Sequence, residues 1–280
     1  MIRSLSISLK VFAVLAIAVC GVSPVAAQYI LGSPNGTLNS DTWSLDSANM
    51  SGFRGAITNP AYFGPSGTIH RTVSVVDLAT VTPTSLAGLN GFMEPWWNIS
   101  QSAPYQTTVI NAFRSGMDLW LLEDDASHNG IGTALGIISS TADGTPSNGT
   151  APFFSGAFGT ATNTATFGNF DQFNATTILA LGGTIAGQNT SGQVTVAYWA
   201  KGAFAPGSGA LIIFSDVDMI SNANQNPYSP SLNSNGILAL NTMAYLVSVP
   251  EPDTFVLMGL GGVVLLALGY RRRFFPFIRR

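Results

Sequence analysis

The sequence predicts an α/β domain with a parallel sheet, because of the order of its periodic segments and the character of two of them. Strand-length apolar runs alternate with helix-length amphipathic runs, an order that favours a parallel sheet over a sandwich. Met117–Leu122 has five apolar residues out of six, as expected of a strand covered on both faces. Asn233–Val247 carries apolar residues along one helical face and closes the domain. An all-β sandwich is the alternative.

The individual elements are expected in the following order. Strands are predicted at Gly55–Asn59, Thr72–Leu78, Leu89–Trp97, Met117–Leu122, Val194–Ala200 and Ala210–Phe214. Helices are predicted at Tyr105–Ser115, with Gly116 as its C-cap, and at Asn233–Val247, with a small helix or turn at Gly130–Ile138. Two segments lack periodicity: Asn35–Asn49 is expected to be a polar loop or an edge strand, and Thr141–Thr166 an inserted irregular excursion.

The amino terminus has the layout of a secretory signal peptide. A basic start precedes the apolar run Val11–Cys20, and Val25 and Ala27 satisfy the small-residue rule for cleavage. Residues 1–27 are therefore predicted to pass through the secretion machinery as a signal helix. Signal peptidase is expected to cut after Ala27, so that the mature chain starts at Gln28.

The carboxyl terminus combines three elements in a fixed order. Residues 249–254 read Val249-Pro250-Glu251-Pro252-Asp253-Thr254, and the two prolines there prevent a helix or a sheet. The uncharged run 255–270 would make about 24 Å of helix, close to a membrane span. Arg271, Arg272 and Arg273 follow it. Since basic residues stay cytoplasmic, residues 271–280 are predicted to be a cytoplasmic tail, 255–270 a transmembrane helix and 28–248 an exported domain.

This tail resembles the PEP-CTERM sorting signal of Gram-negative bacteria, although Asp253 and the extension Phe274–Arg280 depart from its usual form. The resemblance implies processing by exosortase, a membrane-embedded cysteine protease or transpeptidase. It also implies export across the inner membrane, transient anchoring by the C-terminal helix, and release to the cell surface or extracellular matrix. In such species exopolysaccharide is a candidate partner. The alternative is an ordinary single-pass anchor that is never processed.

The charge of the exported part excludes one class of partner. Residues 28–248 hold four basic and twelve acidic residues, a net charge of −8. Nucleic-acid binding requires clustered cations that displace counterions. No nucleic-acid partner is therefore expected.

Two segments of the exported part resemble the class I glutamine-amidotransferase-like fold, a flavodoxin-like arrangement, in its non-enzymatic branches. They are Val109–Asp125 and Tyr198–Asp216. Enzymes of that fold carry a cysteine on the turn after the central strand, where this chain has Glu123-Asp124-Asp125. Cys20, the only cysteine, lies in the predicted signal peptide. No catalytic residue is predicted, and we expect a non-catalytic structural or ligand-binding module, with a metal-assisted hydrolase or a degenerate amidotransferase-like enzyme as the alternative.

Acidic residues follow two of the predicted strands. Glu123, Asp124, Asp125 and His128 come after Met117–Leu122, and Asp216 and Asp218 come after Ala210–Phe214. Carboxyl ends of parallel strands share one edge of a sheet, so these groups could hold Ca²⁺ or another hard cation there. Capping of helix N-termini is the alternative and the favoured role. No cofactor is otherwise expected.

Paired tryptophans are the other candidate binding feature. Trp96 and Trp97 follow a predicted strand, and aromatic faces stack well on sugar rings. Packing in the core is the more frequent role of such residues.

Overall fold

One ten-stranded sheet runs through the protein, which a computed structural model describes over residues 28–39, 42–97, 101–125, 130–143, 146–167 and 169–248. A separate two-stranded ribbon consists of β7 and β8. The strands in chain order are β1 (Tyr29–Pro34), β2 (Val73–Leu78), β3 (Gly91–Glu94), β4 (Asp118–Leu122), β5 (Ser139–Asp143), β6 (Ser147–Gly149), β7 (Ser155–Gly156), β8 (Gly159–Thr160), β9 (Asn169–Phe173), β10 (Thr184–Asn189), β11 (Val194–Trp199) and β12 (Leu211–Phe214).

The sheet is mixed rather than wholly parallel. Its order is β2-β1-β3-β4-β12-β11-β10-β6, with β9 beside β11 and β5 beside β9. The first five strands are parallel neighbours, whereas the pairs beyond β12 are antiparallel. For β10 and β11 the reason is the length of their connection, because residues 190–193 alone join them and a parallel crossover needs a dozen residues or more. The α/β class is confirmed and the all-β alternative is wrong.

Helices cover both faces of the sheet. They are α1 (Gly36–Asn39), α2 (Ser51–Ile57), α3 (Pro83–Leu86), α4 (Ala103–Arg114), α5 (Gly130–Ala134), α6 (Ala175–Ala180) and α7 (Ser234–Ser248), with 3₁₀ turns at Ala48–Met50 and Val217–Met219. Helix α4 ends as predicted, and Gly116, with a φ of 112°, reverses the chain into β4.

Alternate residues of β4 divide the core into two layers. Leu119 and Leu121 pack in the cluster that contains Val109 and Phe113 of α4. Trp120 and Leu122 pack in the opposite cluster, with residues of α2 and α7. All five β4 residues are buried. Strand β4 is therefore the covered central strand that the sequence predicts.

Most predicted elements are confirmed, and one is wrong. Strands β2, β3, β4, β11 and β12 and helices α4, α5 and α7 lie in the segments predicted for them. Gly55–Asn59, predicted as a strand, falls largely in helix α2, because Phe53, Ala56 and Ile57 form one buried helical face that begins before Gly55. Asn35–Asn49 holds a short helix and part of a 3₁₀ turn rather than an edge strand.

Thr141–Thr166, predicted to be an inserted loop or irregular excursion, instead holds β6, β7, β8 and most of β5, because β6 pairs with β10 of the main sheet and β7 with β8. Two buried amides of α7 fasten this insertion to the helix. Asn241 donates from Nδ2 to the carbonyls of Phe153 and Gly159, at 3.0 and 3.1 Å, and accepts from the Phe158 amide at 2.9 Å. Asn235 makes a matching pair of bonds with the Ala165 backbone. Because each amide is bonded on both its oxygen and its nitrogen, the insertion and the helix form one polar contact inside the domain.

The first prediction tests the central position of β4. Leu121→Asp should destabilise the domain by several kcal/mol, because Leu121 is 0 % exposed and a buried unpaired carboxylate is costly against the ~5–15 kcal/mol that stabilises a typical domain. The matched control is Leu179→Asp, since Leu179 of α6 is 59 % exposed. Thermal melts of the full chain in detergent should show a large loss for the first variant only. Equal losses would place β4 at the surface.

Candidate functional site

Three adjacent parallel strands each end at a buried carboxyl group. Glu94 is the last residue of β3, Glu123 follows β4, and Asp216 lies just beyond β12. Their exposures are 3 %, 6 % and 0 %. Since β3, β4 and β12 are consecutive in the sheet, the three residues lie along one side, here called the carboxyl edge. Ligands of open α/β sheets usually bind at such an edge.

Glu94 is held by the amino-terminal part of α4. The Tyr105 hydroxyl donates to Glu94 Oε2 at 2.5 Å, and Gln101 Nε2 donates to Oε1 at 3.2 Å. Burial raises the pKa of Glu94 to about 8, and these two hydrogen bonds limit the rise. Burial, followed by the charge of Glu94, also raises the pKa of Tyr105 well above its usual value. Glu94 is therefore a protonated acid at neutral pH, bonded to a phenol that stays neutral.

Glu123 shares the carboxyl edge with three other acids. Burial raises the pKa of Glu123 well above its ordinary value, and repulsion from Asp171, Glu94 and Asp125 adds to the rise. Asp171 belongs to β9 and is itself 0 % exposed, with its backbone amide bonded to the Ser215 carbonyl at 2.9 Å. The neutral form of Glu123 is thus favoured, because burial and neighbouring like charges oppose its ionisation.

Asp216 and Asp218 support the chain that leaves β12. Asp216 is the N-cap of the 3₁₀ turn Val217–Met219, accepting from the Asp218 amide at 2.6 Å, and its Oδ2 accepts from the Phe167 amide at 2.7 Å. Asp218 accepts from Ser221 Oγ at 2.5 Å and Asn224 Nδ2 at 2.6 Å. Burial raises the pKa of both carboxyls, and for Asp216 the neighbouring Asp218 raises it further. The structure gives Asp216 the capping role that the sequence favours.

The other predicted ligands are placed only in part. Asp124 and Asp125 are half-buried beyond β4, and the charge of Asp124 reaches Asp216 while that of Asp125 reaches Glu123. His128 lies outside the described residues. Among the residues that are described, no three His, Cys, Asp or Glu side chains are grouped closely enough to hold a metal ion.

Glu94 and Asp171 are the members of this edge that sequence reasoning missed. A signal for Glu94 was present, because it ends a predicted strand just as Glu123 and Asp216 do. No comparable signal marks Asp171, which reaches the edge through the antiparallel pairing of β9 with β11 and β5. Chemically, the edge offers buried carboxylic acids that can donate or accept protons.

The paired tryptophans belong to the interior rather than to an open surface. Trp97 is 4 % exposed, and its ring lies 5.1 Å from that of Tyr105 in an edge-on contact. Trp96 is half-buried against the core. The contact between Trp97 and Tyr105 packs the start of α4 beside Glu94, whereas Trp96 packs against the opposite core cluster, so the structure shows a core role for both tryptophans.

The sheet and its carboxyl edge define an α/β domain. A family model described as the PEP-CTERM protein-sorting motif matches residues 248–273. The motif indicates export, a membrane-anchored C-terminal tail before processing, and exosortase as the processing partner. The predicted signal peptide with Val25 and Ala27, and all residues from Val249 to Arg280, lie outside the described part of the chain. None of the helices described within residues 28–248 is long and apolar enough to cross a bilayer.

Solved structures resemble the domain only in fold. The mmIFT52 N-terminal domain aligns over 80 % of this chain and 99 % of its own, with 11 % identity and a TM-score of 0.54. A ThuA-like protein from Bacteroides uniformis aligns over 82 % of this chain and 96 % of its own, with 9 % identity and a TM-score of 0.48. No curated protein matches the chain. At these identities the first likeness shows a shared fold and nothing about activity.

The second prediction follows from the protonated state of Glu94. An unfolded glutamate ionises near pH 4.5, whereas the folded one holds its proton to about pH 8. Between these values the folded chain binds the extra proton, so rising pH favours unfolding. The melting temperature should therefore fall from pH 5 to pH 8, and Glu94→Gln, which mimics the neutral acid, should reduce that slope.

The control is Asp46→Asn, which removes an exposed carboxylate. Its melting temperature should fall with pH as steeply as that of the unmodified chain. Differential scanning calorimetry of the full chain in detergent measures all three proteins. A slope unchanged by Glu94→Gln would mean that Glu94 is ionised in the folded protein.

Proposed function

We propose that residues 28–248 form a non-catalytic structural or ligand-binding module of the cell surface or biofilm matrix of a Gram-negative bacterium. The observation that carries the proposal is the sorting motif at residues 248–273, which begins at the last residue of α7, Ser248. The last described helix thus ends where the motif begins, and exosortase cleavage within the motif would leave every described element in the released protein. Signal peptidase acts at the other end, before Gln28.

The hydrogen bonds of the carboxyl edge support binding or structure rather than catalysis. Glu94 accepts hydrogen bonds from the side chains of Gln101 and Tyr105, and Asp216 accepts them from the backbone amides of Asp218 and Phe167. A catalytic carboxyl has to reach a substrate, whereas these oxygens are engaged inside the domain. These acids therefore organise the loops at the edge. The proposal also includes a relation to the non-enzymatic branches of the class I glutamine-amidotransferase-like fold, which is supported by the two sequence segments that resemble it.

The second candidate is an enzyme, either a metal-assisted hydrolase or a degenerate amidotransferase. Glu94 and Glu123 favour it, since carboxyls with strongly raised pKa values gather at active sites. Calcium, or another hard cation, would have to bind Glu123, Asp124, Asp125, His128, Asp216 or Asp218 for the metal-assisted form. Structural networks of buried acids raise pKa values equally well, so the raised values alone do not distinguish the two candidates.

The third prediction distinguishes a binding module from a metal enzyme. We expect the purified full chain to bind glycans on an array and to retain no equivalent of calcium after dialysis. Glu123→Gln should leave glycan binding unchanged, because Glu123 is 6 % exposed and acts within the edge. One equivalent of calcium by elemental analysis, lost in Glu123→Gln but kept in the control Asp46→Asn, together with no glycan binding, would establish the metal site that the enzyme candidate requires and contradict the binding module.

A further inference from the structure

A cavity of about 750 Å³ opens at the side of the sheet opposite the carboxyl edge. It lies at the amino ends of the parallel strands, here called the amino edge, where Tyr29 starts β1, Asn90 precedes β3 and Asp118 starts β4. Its volume falls within the ~300–1,000 Å³ typical of small-molecule sites. None of the acids of the carboxyl edge lines it, so it is a separate feature.

Two of the four cations of the exported part line this cavity. They are Arg71 and Lys201. Of the other two, Arg54 forms a bidentate pair with Asp77, at 2.6 and 2.8 Å, and Arg114 is exposed at the end of α4. Half of the basic residues of a domain with a net charge of −8 therefore line one cavity, and this local positive charge favours an anionic ligand there.

Arg71 is fixed in its position by the protein. Its Nη1 donates to the Val247 carbonyl at 2.7 Å, and its guanidinium lies 5.3 Å from the centre of the Tyr29 ring. Such a cation–π contact and a carbonyl bond orient the charge before any ligand arrives. Lys201 comes from the turn after β11 and is half-buried, and no salt bridge occupies it within the described residues. The cavity thus has one cation that is fixed by the protein and one that no described carboxylate pairs with.

The acid in the cavity wall cancels only half of this charge. Asp118 is 5 % exposed, its Oδ1 accepts from the Ala210 amide at 2.8 Å, and its Oδ2 accepts from the Tyr29 hydroxyl at 3.1 Å. With two cations and one carboxylate, the charged lining adds up to +1. Asp118 also holds Tyr29 beneath Arg71, so it contributes to the shape of the site.

The remaining lining combines polar and apolar side chains. Thr108, Asn111 and Ser115 present hydroxyl and amide groups from α4 and the residue after it, and Leu86 and Met117 present apolar surface. We propose that this cavity binds a sugar that carries one carboxylate, with Lys201 and Arg71 contacting the carboxylate. Its hydroxyl groups would bond to the polar residues, and its C–H face would lie on the apolar ones.

A single negative charge fits this site better than a phosphate does. The site contributes +1 within a domain of −8, so the surrounding field opposes a doubly charged ligand more than a singly charged one. The inference rests on the proposed binding function and names its ligand class. Free sugar acids and the terminal units of acidic polysaccharides share this chemistry.

The fourth prediction tests the cavity by isothermal titration calorimetry on the full chain in detergent. The probes are D-glucuronate, a glucuronate oligosaccharide, D-glucose and glucose 6-phosphate. We expect glucuronate to bind more tightly than both glucose and glucose 6-phosphate. Lys201→Gln should weaken its binding about tenfold, the loss expected for one charge-assisted contact. The matched control Arg114→Gln removes the same charge outside the cavity and should change the affinity less than about twofold, since salt screens distant charges.

The outcomes separate the cavity from the proposed function. Tighter binding of the oligosaccharide than of glucuronate would identify a polysaccharide unit as the source, and equal binding would identify the free sugar acid. Glucose binding as tightly as glucuronate, or a Lys201→Gln variant that binds like the unmodified chain, would overturn the cavity assignment. If the full chain binds glycans on an array but does not bind glucuronate, only the cavity assignment is refuted. If it binds neither, the proposed binding function is refuted as well.

Discussion

The parallel contact between β4 and β12 is the interaction on which the rest of the domain depends. Leu119 to Leu122 lie opposite Leu211 to Phe214 in register, and every residue of both strands is buried. Backbone groups this deep must be paired, because an unpaired one costs as much as a lost hydrogen bond. The pair joins the parallel strands on one side to the antiparallel strands on the other, so both halves of the sheet take their position from it.

The same pair separates two chemically different edges. Beyond its carboxyl end, Glu123 and Asp216 are buried and have raised pKa values, and Asp216 accepts hydrogen bonds from the backbone of neighbouring loops. Before its amino end, Asp118 accepts a hydrogen bond from Ala210 and frames an open cavity with two cations. Sheets of this class usually bind ligands at the carboxyl edge. Here buried acids occupy that edge, and the amino edge carries the accessible charge.

Sequence patterns predict the local helices and strands, but they do not predict how strands distant in the chain pair. Met117–Leu122 was predictable because a strand covered on both faces needs a continuous apolar run, and Asp216 because a carboxylate after a strand readily caps the next turn. Strand β1 has Gly32 and Pro34 within six residues, so its low strand propensity gives no signal of a strand. The strand forms because tertiary pairing overrides that propensity. Glu94 could not be recognised as a protonated acid, because the burial that raises its pKa arises only when other elements pack over it.

Helix α7 links this architecture to export. It is largely buried, Arg71 bonds its last turn at Val247, and the sorting motif begins at Ser248. The most direct measurement is the intact mass of the protein in the extracellular fraction of a strain that contains exosortase. We expect a chain that starts at Gln28 and lacks residues from Phe255 onward. The Pro250→Ala, Pro252→Ala double variant should be retained in the membrane, whereas the control variant Pro206→Ala should be released normally. A full-length product that stays in the inner membrane while exosortase is present would contradict the assignment.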